Sequence, residues 1–197
     1  MKKILLLLCA AICTASVTSS CCGEAPSAED AVLNNIMTRA SVRSYTPQAV
    51  EQYKIDKLLK AGMAAPTGSN KQPWEFVVIT DRAILNELPS IAGGMRMAGG
   101  APLAIVVLGD ESISGSWTLD CSAATQNILL AAHTMGLGAV WCGAYPENES
   151  GRTSKMKALL NLPEGINALN AIIIGYPDSE SEPKDKWKPE KVHYQKY

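Results

Sequence analysis

Arg39, Ser41 and Arg43 stand at alternate positions of one short segment, and their types suit the binding of a phosphate. In an extended chain, residues two apart point to the same side. Two guanidinium groups and a hydroxyl would then share one face, and guanidinium pairs with phosphate oxygens in bidentate fashion. The bland alternative is a solvated edge carrying two ordinary arginines. A second candidate is the run Ala65-Pro66-Thr67-Gly68-Ser69-Asn70-Lys71-Gln72-Pro73-Trp74. Its prolines fix the path of side-chain amides, hydroxyls and a glycine, a set able to hydrogen-bond a heterocycle along its edge. Alone, the same run also fits a solvent loop that leads into a strand.

The remaining eye-catching residues read as structural. His133 ends an apolar helical pattern and is expected as a satisfied core or helix-end histidine, not a base. His193 is expected to pack within the C-terminal tail. Two histidines without a nearby carboxylate or thiol cluster predict no metal site, and no Ser, His and Asp grouping suggests hydrolysis. Gly93-Gly94 and Gly99-Gly100 lack the strand-to-helix surroundings of a dinucleotide fingerprint. Trp117 reads as a core or interface residue. Cys121 and Cys142 lie in apolar stretches and read as small buried hydrophobes, with a disulfide between them left open. A net charge of −1 gives no basic face for a nucleic acid.

These residues need elements to hold them. A helix is predicted from about Ala28, with Val32, Leu33 and Ile36 on one face. The chain then extends from Ser41 to Pro47, and a second helix runs from about Val50 to Met63, with Ile55, Leu58 and Leu59 inward. Phe76 to Thr80 and Leu103 to Leu108 read as strands. Leu119 to Met135 is the longest helical pattern, stopped by Gly136, and its alanines let another helix approach closely. Ala139 to Cys142 and Ala168 to Ile174 read as buried strands. Beyond Pro177 the chain turns polar and must lie on a surface, its own or a partner's. Helices and strands interleave, so the class is α+β or α/β.

The N-terminal residues are of a different character. Met1-Lys2-Lys3 is basic, Ile4 to Ile12 is apolar, and Thr14 to Ser20 is small and polar, the pattern of a secretory signal. Export to the cell envelope or periplasm is therefore expected, with residues 1–20 removed. Thr18-Ser19-Ser20-Cys21 resembles a lipobox, although Thr18 stands where such motifs prefer leucine. Lipidation of Cys21 is the expectation, and ordinary cleavage near Ser20 is the alternative. A lipid there would be the only tie to a membrane. Residues 21–33 read as a tether and residues 34–197 as one domain.

Several motifs, in order, resemble the nitroreductase family of FMN-dependent flavoproteins. They are Arg39-x-Ser41-x-Arg43-x-Tyr45 and Pro66-Thr67-Gly68-Ser69-Asn70-x-Gln72-Pro73-Trp74, then Asp120-Cys121-x-Ala123-Ala124-x-Gln126-Asn127. After these come Gly136 to Gly143, Ile174-Gly175-Tyr176-Pro177, Lys184-x-Lys186 and Val192-His193-Tyr194. The resemblance implies a central mixed β-sheet flanked by helices, a long helix at a dimer interface, and a C-terminal tail lying over the partner subunit. It implies a homodimer with FMN at the interface. Arg39, Ser41, Arg43, Lys184 and Lys186 would hold its phosphate and ribityl end, and Pro66, Thr67, Gly68, Asn70 and Gln72 would reach it from the other subunit. Trp141, Cys142 and Gly143 would line the ring, and Arg96 would place a charge near its N1 and O2.

The activity implied is hydride transfer from NADH or NADPH to a small-molecule acceptor such as a nitroaromatic or quinone, in ping-pong order through the flavin N5. That chemistry requires no catalytic side chain. The short segment Ser112 to Thr118 implies an open pocket. A rival reading is an exported FMN-binding protein reduced by a non-nicotinamide donor, or one without catalytic activity.

Overall fold

The computed structural model describes residues 27–197. Among these residues five α-helices and four strands interleave. In order they are α1 (Ala28–Thr38), α2 (Gln52–Met63), β1 (Trp74–Ile79), α3 (Arg82–Ile91), β2 (Leu103–Asp110), α4 (Trp117–Thr134), β3 (Gly138–Gly143), α5 (Arg152–Leu160) and β4 (Ile166–Gly175). Short 3-10 turns cover Gly68–Asn70, Gly93–Gly100 and Pro189–Lys191. The α+β class expected from the interleaving holds.

The strands form one sheet in the order β1-β2-β4-β3. Every hydrogen-bonded pair of neighbouring strands is antiparallel. The parallel part of the expected mixed sheet is confined to an isolated bridge between Ser41 and Ala139. The helical connections α3 and α5 each return to the end of the sheet they left, which makes their flanking strands antiparallel. Central β2 and β4 are covered on both faces, so both read as nearly unbroken apolar runs. One face packs on α2 and α4 through Leu58, Ile105, Ala124, Ile128, Ala132 and Ile172. The other packs on α3, α5 and the 93–100 turn through Leu85, Leu88, Met95, Val106, Met156 and Ile173.

Helix α4 is the spine. It has 18 residues, about 27 Å at about 1.5 Å each. Gly136 stops it with φ +72°, and the Leu137 N–H returns 2.9 Å to the Ala132 carbonyl, closing a Schellman turn. Helix α1 starts on a Ser27 cap but buries none of its residues. It runs across residue 33, so the segment expected as a tether is helical from Ala28. The tail beyond Pro177 is exposed throughout.

Cys121 and Cys142 are free, and they belong to the cores on opposite faces of the sheet. That placement closes the question of a disulfide. Burial, with the charge of Asp120 second, pushes the Cys121 thiol up to about 12.

Candidate functional site

The Arg39–Arg43 segment is extended, as its spacing predicts, and it is seated on the outer edge of β3. The Val42 N–H donates to the Ala139 carbonyl at 3.1 Å, and the Val42 side chain is buried. The Tyr45 hydroxyl sits 2.6 Å from the Val42 carbonyl and 3.0 Å from that of Ile173, which pins the segment from below. Its burial raises the phenol's pKa. With Val42 inward, Ser41 and Arg43 face outward and Arg39 is half-buried.

The tail then brings two more cations to this edge. Arg39, Ala40, Ser41, Arg43, Glu182, Lys184 and Lys186 line one cavity of about 260 Å³. Among the described residues none of the four cations is ion-paired, and Glu182 is the one acid in the lining. Sequence reasoning did not anticipate Glu182. A larger cavity of about 660 Å³ adjoins it, with Val42, His133 and Ala139 on one side and residues 177–183 of the tail on the other.

The Pro66–Gln72 loop lies elsewhere. Ser69, Asn70 and Gln72 all have left-handed backbone, with φ of 53°, 55° and 49°. Thr67 Oγ1 accepts the Gln72 N–H at 3.2 Å, and Gln72 Nε2 donates to Asn70 Oδ1 at 2.7 Å. The Gly68 N–H donates to Asp120 Oδ1 at 3.2 Å, which ties the loop to the first turns of α4. The cations instead lie toward the other end of α4. The larger cavity, which shares Ala40 and Glu182 with theirs, is lined by His133 of the helix's last turn. Thr38, next to Arg39, meets His133 Nε2 through Oγ1 at 3.0 Å. Thr38 spends its own proton on the Asn34 carbonyl at 2.7 Å, so His133 Nε2 is the donor between them. Asp120 and His133 are thirteen residues apart on one helix, about 20 Å. One chain therefore does not bring the loop and the cations together.

Strand β3 supplies the third group. The Ala139 carbonyl points outward to Val42, so by strand alternation Trp141 and Gly143 also present their backbone groups to the free edge. The Trp141 side chain is 38% exposed. Cys142 turns the other way. Its thiol donates to the Gly94 carbonyl at 3.0 Å inside the α3–α5 core, and burial pushes it up to about 11. Arg96 is exposed on the same 93–100 turn. Trp117 is a core residue, edge-on to Tyr145 with ring centroids 4.8 Å apart. His193 stacks on Tyr197 within the tail.

The family model described as the nitroreductase family matches residues 36–96 and 92–176. A Methanothermobacter thermautotrophicus protein provisionally named NADH dehydrogenase/NAD(P)H nitroreductase is 40% identical over 169 residues, covering 84% of this chain and 87% of that protein. A crystal structure with the same provisional name from Bacteroides thetaiotaomicron is 48% identical at a TM-score of 0.82, covering 85% of this chain and 98% of that one. An FMN-dependent nitroreductase from Clostridium difficile is 30% identical at a TM-score of 0.80, covering 84% of this chain and 99% of that one.

These relatives overturn the expectation of export. They align with nearly their whole length, are named as nitroreductases, and none is named as an envelope protein. The signal, the lipobox and Cys21 lie outside the described residues. Among the described residues no helix is long and apolar enough to cross a membrane. With 40% identity to a relative over most of both chains, and a family model matched along most of its length, this chain belongs to the nitroreductase family of oxidoreductases.

Proposed function

We propose that the chain is an FMN-dependent NAD(P)H oxidoreductase that works as a homodimer. It passes hydride in ping-pong order from NADH or NADPH to nitroaromatic, quinone or similar small acceptors. The observation that carries this reading is the cavity at Arg39, Arg43, Lys184 and Lys186, where four cations face one carboxylate. That excess of positive charge, with forked arginines and point-charge lysines, fits the phosphate of a mononucleotide. The names of the relatives support both cofactor and donor, since one is called FMN-dependent and two are called NAD(P)H enzymes.

The rest of the site follows from the fold. Ser41 adds a hydroxyl to the phosphate end. Gly143 lies four residues along β3 from the Ser41 bridge, about 13 Å at about 3.3 Å per residue. The Trp141 ring and the outward backbone groups of Trp141 and Gly143 line the flavin there, while Cys142, its main chain paired with β4 and its thiol in the opposite core, only spaces them. Arg96 is the candidate for holding negative charge on the ring. Bound FMN supplies a ring whose N5 accepts and returns hydride.

Pro66, Thr67, Gly68, Asn70 and Gln72 complete the site from a second copy, because about 20 Å of α4 separates them from the cations of their own chain. Helix α1 supports that second copy. Val32, Leu33, Ile36 and Met37 are 60%, 52%, 47% and 76% exposed, and an unburied apolar helix marks a protein interface. The exposed tail extends over the partner.

The test is a visible absorption spectrum of the purified protein, before and after anaerobic NADH and then NADPH. A flavin spectrum that bleaches is expected. A colourless protein that takes up no added FMN would overturn the reading. The double variant R39A/R43A should lose its flavin, because each charged hydrogen bond contributes roughly 1.5–3 kcal/mol. A fully loaded double variant would refute the phosphate site.

A further inference from the structure

Asp120 is an acid in an unusual place. It is 6% exposed, and among the described residues no cation pairs with it. A buried carboxylate is costly unless hydrogen bonds satisfy it. Both of its oxygens are used. Oδ1 accepts the Gly68 N–H at 3.2 Å, and Oδ2 accepts the Ser114 hydroxyl at 2.9 Å. Ser114 is itself buried, and its Oγ accepts the Ser116 N–H at 3.2 Å. The carboxylate thus joins three segments: the 66–72 loop, the 111–116 loop and the first turns of α4, where the helix dipole favours negative charge.

The loop depends on that tie. Between Pro66 and Gln72, Gly68 N–H to Asp120 is the one hydrogen bond to the rest of the fold among the described residues. The other bonds run within the loop. Three of its non-glycine residues are left-handed, a conformation kept only where the surroundings enforce it. We infer that Asp120 is the positioning residue of the 66–72 loop, holding it through Gly68 in the form that meets the flavin ring. This rests on the reading that the loop contacts FMN bound by the second copy. Asp120 touches no ligand and acts through the loop alone.

The variants are D120A and D120N. Alanine removes the acceptor. Asparagine keeps Oδ1 for Gly68 and donates its amide to Ser114 Oγ, which has a lone pair free for it. Two readouts are used: hydrogen exchange at the Gly68 amide of the flavin-free protein, and titration of that protein with FMN and with riboflavin, which lacks the phosphate. D120A should expose the Gly68 amide and weaken both flavins by the same factor, about ten- to hundredfold for a lost charged hydrogen bond. D120N should stay close to wild type in both readouts. R43A should weaken FMN by a much larger factor than riboflavin, which separates the phosphate end from the ring end. Wild-type flavin affinity in D120A, or an effect on FMN without one on riboflavin, would overturn the role of Asp120 while the flavin reading stands. Wild-type protein that takes up neither flavin would overturn that reading, and the inference with it.

Discussion

Gly138→Ala tests whether the seat of the Arg39–Arg43 segment on β3 builds the phosphate end. A Cβ at residue 138 would stand 2.6 Å from both Cβ and Cγ1 of Val42. Carbon atoms in contact rest at about 3.5 Å or more, so the two must part by about 0.9 Å. Rotation about χ1 does not help, because the Val42 Cβ is bonded directly to the backbone. The segment must therefore lift. A shift of about 1 Å takes the 3.1 Å bond from the Val42 N–H to the Ala139 carbonyl beyond hydrogen-bonding range. Overpacking of this kind costs about 1–3 kcal/mol. A misplacement of about 1 Å is also enough to cost about a hundredfold where geometry is critical. Urea denaturation of the flavin-free variant should show the lost stability, and titration with FMN should show an affinity lower by about ten- to hundredfold. The double variant G138A/V42G removes the clashing carbon and should recover affinity. If G138A keeps wild-type stability and FMN affinity, the segment does not rest on β3 in the way that forms the cavity.

Two further outcomes follow from ionisable groups. Glu147 caps α5, accepting from the Ser154 hydroxyl and from backbone N–H groups, and these lower its carboxyl to about 2 from 4.5. Its stabilising effect is present above pH 4.5 and fades as pH falls toward about 2, so acid unfolding should be shallower in E147Q than in wild type. Burial lifts Cys142 and Cys121 to about 11 and about 12, so at pH 8 neither should alkylate in the native protein, and both should alkylate in denaturant, as read by peptide mass spectrometry.

Much of this protein was legible in local sequence, because its signals are local ones. Apolar runs mark β2 and β4, since both strands are covered on two faces. The spacing of Ile55 and Leu58 marks α2, and Gly136 marks the end of α4. The Arg39–Arg43 alternation and the composition of residues 65–74 pick out two chemical segments without any structure. Helices α3 and α5 escaped for physical reasons: Pro89 interrupts the pattern of the first, and the second buries only Met156. What tertiary structure alone decided is who meets whom. Lys184 and Lys186 join Arg39 and Arg43 because the tail folds back to the edge of β3. Strand alternation turns the Cys142 thiol away from that edge, and only packing shows Asp120 beneath Gly68. The length of α4 sets the loop and the cations far apart in one chain, and the proposed site draws on a second copy for that reason. Such contacts depend on how elements pack across long stretches of chain, and no local pattern of residues encodes them.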